Sequence, residues 1–113
     1  MCDAYLAGIY GRKFEEAGYK VRIVESPDEA LRTAGRVKPR AILYDIHCTP
    51  DIAQTLSVLR ASPILAQSKI VLVGNVSDWG RVQELAKSAD GYLIFGQFVP
   101  REAVAKINHL LSL

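Results

Sequence analysis

Residues 69 to 74 read KIVLVG, with no polar side chain from Ile70 to Val73. A strand with one face in water alternates apolar and polar residues. An unbroken apolar run of this length marks a strand covered on both faces, as in a parallel sheet with helices above and below. Parallel strands need crossover connections, so the flanking sequence must supply helices between short strands.

The chain has that rhythm. From Asp3 to Ala17, the residues Leu6, Ile9, Tyr10, Phe14 and Ala17 fall at spacings of three and four, predicting an amphipathic helix with Gly18 as its C-cap. YKVRIV (19 to 24) alternates and is rich in β-branched residues, predicting a strand. Ser26-Pro27-Asp28-Glu29 is a capping box that opens a helix carrying Ala30, Leu31 and Ala34 inward. After Lys38-Pro39, RAILYD (40 to 45) reads as a second strand. Thr49-Pro50-Asp51 opens a helix that shows Ile52, Leu56 and Leu59 on one face and ends before Pro63.

Beyond KIVLVG, Ser77-Asp78 starts a helix with Trp79, Val82, Leu85 and Ala86 inward. GYLIFG (91 to 96) is a fourth strand, and Pro100 opens a last helix striped with Ala103, Val104, Ile107 and Leu111. About four strands and five helices in alternation define a doubly wound parallel α/β sheet. The order begins with a helix, whereas such folds ordinarily open with a strand.

Composition bounds the function classes. The 113 residues suit one domain, residues 1–113, with one core. A net charge of +2 with scattered basic residues argues against nucleic acid or a membrane surface as partner. The longest apolar stretches are about six residues, against the roughly twenty that a spanning helix needs. The N-terminus has no signal-peptide pattern, and two cysteines, Cys2 and Cys48, make no disulfide framework, so a cytoplasmic location is expected.

The residues PRAILYDIHCTPD place Asp45 at the tip of an apolar strand. Together with FEEAGYKVRIVESPDEAL, IVLVGNVSD and ADGYLIFGQFVPREAVAKI, in that order and spacing, they resemble the receiver domains of response regulators. The resemblance covers nearly the whole chain. It implies a flavodoxin-like sheet in the order 2-1-3-4-5, with ligands beyond the carboxyl ends of the strands. It also implies that Asp45 is the phosphoacceptor, stabilised by helix N-termini and a divalent cation, Mg²⁺. The backbone carbonyl of His47 matches a metal ligand, and Tyr92 matches the aromatic that reports the state of the site.

The departures carry as much information. The family's acidic metal-binding pair falls on Met1 and Cys2, leaving only Asp3 acidic. The switch hydroxyl falls on Gly74, followed by Asn75. The phosphate-binding lysine falls on Phe95, with Gly96 in place of a proline and an extra residue near Gln97. An aspartate without its metal and lysine loses charge-assisted bonds worth roughly 1.5–3 kcal/mol each. At about 1.4 kcal/mol per tenfold in rate, phosphorylation slows by several orders of magnitude. A degenerate, non-enzymatic pseudo-receiver that acts by protein binding is therefore the expectation, with a competent phosphoacceptor at Asp45 as the alternative.

The absent first strand would leave the strands at 19 to 24 and 40 to 45 with open edges. Three remedies exist: direct pairing of those edges, a second chain filling the gap, or truncation of a longer protein. Self-association is the one expected here. The resemblance places the partner surface, for a histidine kinase, phosphotransfer protein or output domain, from Ser77 to Leu113.

Other chemistries have weaker support. Cys2, Asp3, Asp45, His47 and Cys48 could gather at one sheet edge as a zinc or redox site, but no paired metal-ligand spacing supports it. D-x-H within YDIHCTP lacks the glycine of the cobalamin pattern, Pro50 standing there instead. No phosphate-binding glycine loop and no nucleophile elbow is present.

Overall fold

The computed structural model describes residues 4–46, 51–94 and 99–112. Its elements are α1 (Ala4–Glu16), α2 (Pro27–Val37), β1 (Ala41–Asp45), α3 (Ile52–Ala61), β2 (Lys69–Gly74), α4 (Trp79–Leu85), β3 (Gly91–Ile94) and α5 (Pro100–Leu111). The strands form one parallel sheet in the order β1-β2-β3. This is the doubly wound, flavodoxin-like architecture of a receiver domain.

Local chemistry sets the element ends. Gly18 turns the chain after α1 at φ +98°, backbone that an L side chain adopts only at a cost. Ser26 caps α2 by accepting the Glu29 amide at 3.2 Å. Glu29 in turn takes the amide of Glu25 at 3.3 Å, one residue earlier than a standard capping box. Asp51 stands at the start of α3 without a side-chain cap bond. The expected hydroxyl cap at Thr49 lies outside the described residues.

Strand alternation sorts the core into two layers. Ile70 and Leu72 pack with Leu56 and Leu59 of α3 and Val82 of α4. Val71 and Val73 pack with Tyr10 and Phe14 of α1 and Ile107 of α5. From Ile70 to Val73 every side chain of β2 is fully buried, as an apolar run covered on both faces requires.

The expected strand at 19 to 24 is the main correction, because those residues carry no strand and, among the described residues, the sheet has three strands, not four. Direct pairing of the two edges is thereby also overturned. A strand is defined by its ladder, and among the described residues this segment has no strand partner, β1 pairing there with β2 alone. Two of its side chains, Val21 and Ile23, approach α1 instead. A Cβ on Gly11 would meet Ile23 Cδ1 at 3.3 Å and Val21 Cγ1 at 3.6 Å, so the missing side chain at Gly11 lets the segment lie close. The Tyr19 hydroxyl donates to Asn108 Oδ1 on α5. Between this segment and β1 lies a cavity of about 410 Å³. Accordingly every residue of β1 is only half-buried.

Trp79, expected inward, is 38% exposed, its ring meeting Tyr92 of β3 edge-on.

Candidate functional site

The site begins where β1 and β2 end together. Asp45 closes β1, with Val73 of β2 as its register partner, and is half-buried. The next amide, Ile46 N–H, donates to Val73 carbonyl at 2.8 Å, and Ile46 is fully buried. Buried Ile46 pins the backbone behind Asp45, so the carboxylate stands at the carboxyl edge of the sheet. That edge is where doubly wound sheets bind ligands.

Beside it, Gly74 closes β2. A Cβ there would lie 3.2 Å from Asp78 Cβ and 3.3 Å from both Ile46 Cγ1 and Val82 Cγ2. A side chain there would begin in tight contact with three neighbours, each of which would have to give by a few tenths of an ångström. Asp78 is itself 7% exposed and accepts the Asn75 amide at 2.8 Å, while its own amide donates to the Asn75 carbonyl at 2.9 Å. This reciprocal pair closes the turn into α4 and commits one carboxylate oxygen to structure. Sequence reasoning took Asp78 only as a helix start. Its proximity to Gly74 depends on a turn that spacing alone does not reveal.

Tyr92 lies on β3, opposite Leu72 of β2, on the far side of the sheet from Asp45. Its ring meets Trp79 edge-on, centroids 5.3 Å apart and planes at 66°. Lys106 of α5 sets its ammonium 4.4 Å from the Tyr92 centroid. Burial pushes that amine below its ordinary pKa. β3 is an edge strand, which is why a side chain of α5 reaches a ring that also touches α4. Nothing in the sequence signalled Lys106.

Of the residues expected at the site, the structure brings Asp45 and Gly74 to one edge and holds Tyr92 in a separate aromatic and cationic cluster. Asp3, His47 and Phe95, and likewise Cys2 and Cys48, lie outside the described residues. Among the described residues, no three carboxylate, imidazole or thiol groups come together as a metal-ligand set.

The three-layer parallel α/β fold is that of receiver domains. No family model matches the chain, and no curated protein matches it. Solved structures do. A proposed response regulator from Chloroflexus aurantiacus is similar at 24% identity and TM-score 0.84, over 98% of this chain and 92% of that one. The receiver domain of a signal transduction histidine kinase from Syntrophus aciditrophicus is similar at 22% identity and TM-score 0.79, over 97% and 84%. A response regulator from Burkholderia pseudomallei, solved with a phosphorylated aspartic acid and a calcium ion, is similar at 25% identity and TM-score 0.63, over 95% and 66%. These likenesses show the receiver fold. No helix among the described residues is long and apolar enough to cross a membrane.

Proposed function

We propose that this chain is a cytoplasmic receiver-like domain of two-component signalling that works by binding proteins, not by efficient phosphoryl transfer. The observation that carries the reading is Gly74, a residue with no side chain and with close neighbours around the place where one would begin. A receiver signals phosphorylation by moving a hydroxyl toward the new phosphoryl group. Here the corresponding residue has no side chain, and contacts of 3.2 to 3.3 Å surround the place where one would start. Without a hydroxyl to move, a charge added at Asp45 has no such lever on the rest of the fold.

Binding falls to the face from Ser77 to Leu113, where Trp79 remains 38% exposed beside Tyr92, whose ring Lys106 also meets. A part-exposed tryptophan is a residue type in which interface hot spots are rich. A histidine kinase, a phosphotransfer protein or an output domain is the partner class. The domain itself catalyses nothing in this reading.

A second reading keeps Asp45 as a working phosphoacceptor with Mg²⁺. Its support is the position of Asp45 at the carboxyl edge, together with the phosphorylated aspartate in the Burkholderia pseudomallei relative. A zinc or redox role for Cys2, His47 and Cys48 rests on sequence alone.

An amide NMR fingerprint with Mg²⁺ and then beryllofluoride, a phosphoryl mimic, separates these. A dispersed spectrum that ignores both additions supports the binding module. Shifts centred on Asp45 and spreading to Gly74 and Tyr92 overturn it in favour of the phosphoacceptor. Zinc retained through purification overturns it in favour of the metal site.

A further inference from the structure

The helix α3 turns an uncharged surface to solvent. From residue 52 to 68 the one charged residue is Arg60, in a chain that is 23% charged. That arginine is engaged by Asp90 and the Ser88 carbonyl. The helix buries Ile52, Leu56 and Leu59 and leaves Ala53, Gln54, Ser57, Val58 and Ala61 exposed. A helix with one face in water ordinarily carries charge on that face. Here the exposed residues are small, apolar or uncharged, and Val58, β-branched and so poorly suited to a solvent-facing helix, is 50% exposed.

The surface continues onto the neighbouring elements. Ala34 of α2 shares a core layer with Leu56 and Leu59 of α3, so the two helices cover the same sheet face. Each ends shortly before a parallel strand begins, so both run toward the amino edge of the sheet, side by side. Asp28 and Leu31 of α2 and Gln54, Thr55 and Val58 of α3 line the groove between them. Past the end of α3, Ile64 is 50% exposed and stands beside Gly35, whose Cβ would lie 3.8 Å from Ile64 Cδ1. Leu31, Val58 and Ile64 thus make an apolar line along the groove. None of these three lines the cavity beside β1, and none belongs to the face from Ser77 to Leu113.

Charge stands at the rim. Arg32 and Arg36 are exposed and lie one turn apart on α2, flanking the apolar line. Asp28, in the first turn, marks the other end. Among the described residues none of these three is in an ion pair.

We propose that this groove docks an amphipathic helix of a partner protein. The apolar stripe of that helix packs on Leu31, Val58 and Ile64, and carboxylates beside the stripe face Arg32 and Arg36. Recognition is of the helix-in-groove kind, read through anchors at i, i+3 or i+4, and i+7. A centre poor in charge with arginine at its margin is the composition of such interfaces. Ten residues of helix span about 15 Å, so the surface is at the small end of specific interfaces and the affinity is micromolar or weaker.

Charge disfavours a second copy of this chain as the occupant. A two-fold axis that lays α3 antiparallel on its copy also lays α2 on its copy. Arg32 stands at the middle of α2, so the two Arg32 side chains would meet near that axis, like charge against like. The proposal rests on the fold, not on the reading of Asp45 or of the face at Trp79, so each can fail alone.

The test uses the full chain, ¹⁵N-labelled, titrated with a capped helical peptide, Ala-Leu-Glu-Gln-Leu-Leu-Glu-Ala-Leu-Glu-Gln-Leu-Leu, and with its twin carrying lysine at every glutamate. The acidic peptide should shift the amides of Leu31 to Arg36 and of Thr55 to Ala61. It should bind roughly tenfold more tightly than the basic twin at low salt, a preference that shrinks as salt screens the charges. Val58→Glu alters an exposed position and should weaken the acidic peptide at least tenfold while keeping a dispersed spectrum. The double variant Arg32→Glu, Arg36→Glu should reverse the preference between the peptides. Equal binding of the two, no binding of either at millimolar concentration, or shifts confined to the surroundings of Trp79 and Tyr92 overturns the proposal. So do concentration-dependent shifts of the same groove amides without peptide, which would make a second copy the occupant.

Discussion

Arg60 of α3 donates to Asp90 Oδ2 at 2.7 Å, and that same oxygen accepts the amide of Ile70, the second residue of β2, at 2.8 Å. Arg60 also reaches the Ser88 carbonyl at 2.9 Å. One carboxylate thus ties a helix, the turn before β3 and the entrance of the central strand. Ile70 is fully buried, so its amide has no route to water if Asp90 is lost. Asp90→Ala should destabilise the domain by about 1–3 kcal/mol, the cost of an orphaned buried donor plus a broken charged bond. Urea midpoints at constant m-value check this.

The same carboxylate sets a pH dependence. Partial burial by itself would raise its pKa, but the Ile70 amide, the Arg60 guanidinium and the Lys69 charge outweigh that and hold it below the usual range. A folded-state pKa below the unfolded one means stability that is fully present above the unfolded value, about 3.9, and lost as pH falls through the folded value. Stability curves between about pH 5 and 2 should therefore fall less steeply for Asp90→Asn than for the parent. Parallel curves would contradict the assignment.

Gly74 should resist substitution in either reading of the site. Ile46 and Val82 are fully buried, so neither can swing into solvent to admit a side chain. Gly74→Ala should cost about 1–3 kcal/mol by overpacking, and Gly74→Thr more. Thermal midpoints are the readout, and an unchanged midpoint for Gly74→Thr would show that a switch hydroxyl fits after all.

Tyr92→Leu keeps an apolar side chain but removes both the edge-on ring contact and the cation–π contact. The loss should be about 1–2 kcal/mol. Trp79 is the only tryptophan, so its emission should change with the substitution even where stability barely moves.

Gly18→Ala isolates a backbone effect. Nothing lies within 4 Å of the position where its Cβ would stand, so packing is untouched. The positive φ alone should cost about 1–2 kcal/mol, readable as a fall in the denaturation midpoint.

Much of the fold was legible because it rests on local or periodic signals. The helix ends at Gly18 and Ser26 follow from backbone preference and capping, and the unbroken run from Ile70 to Val73 from two-sided burial. The place of Asp45 at the carboxyl end of its strand was legible because the apolar run before it ends there. The segment 19–24 shows the limit. Its alternation satisfies every local requirement of a strand, but a strand exists only in a ladder.

The sequence by itself determined the layer order, the sheet direction, the helical stripes and the carboxylate at the strand tip, since each is encoded within a window of a few residues. Tertiary structure alone decided the rest. It showed that YKVRIV carries no strand and that Val21 and Ile23 approach α1 instead. It showed that Asp78 closes the turn behind Gly74, and that Lys106 crosses the sheet edge to the ring of Tyr92. Each of these joins residues distant in the chain or depends on a turn whose path no short window records. Their energies arise only once the helices have packed and fixed which groups can meet.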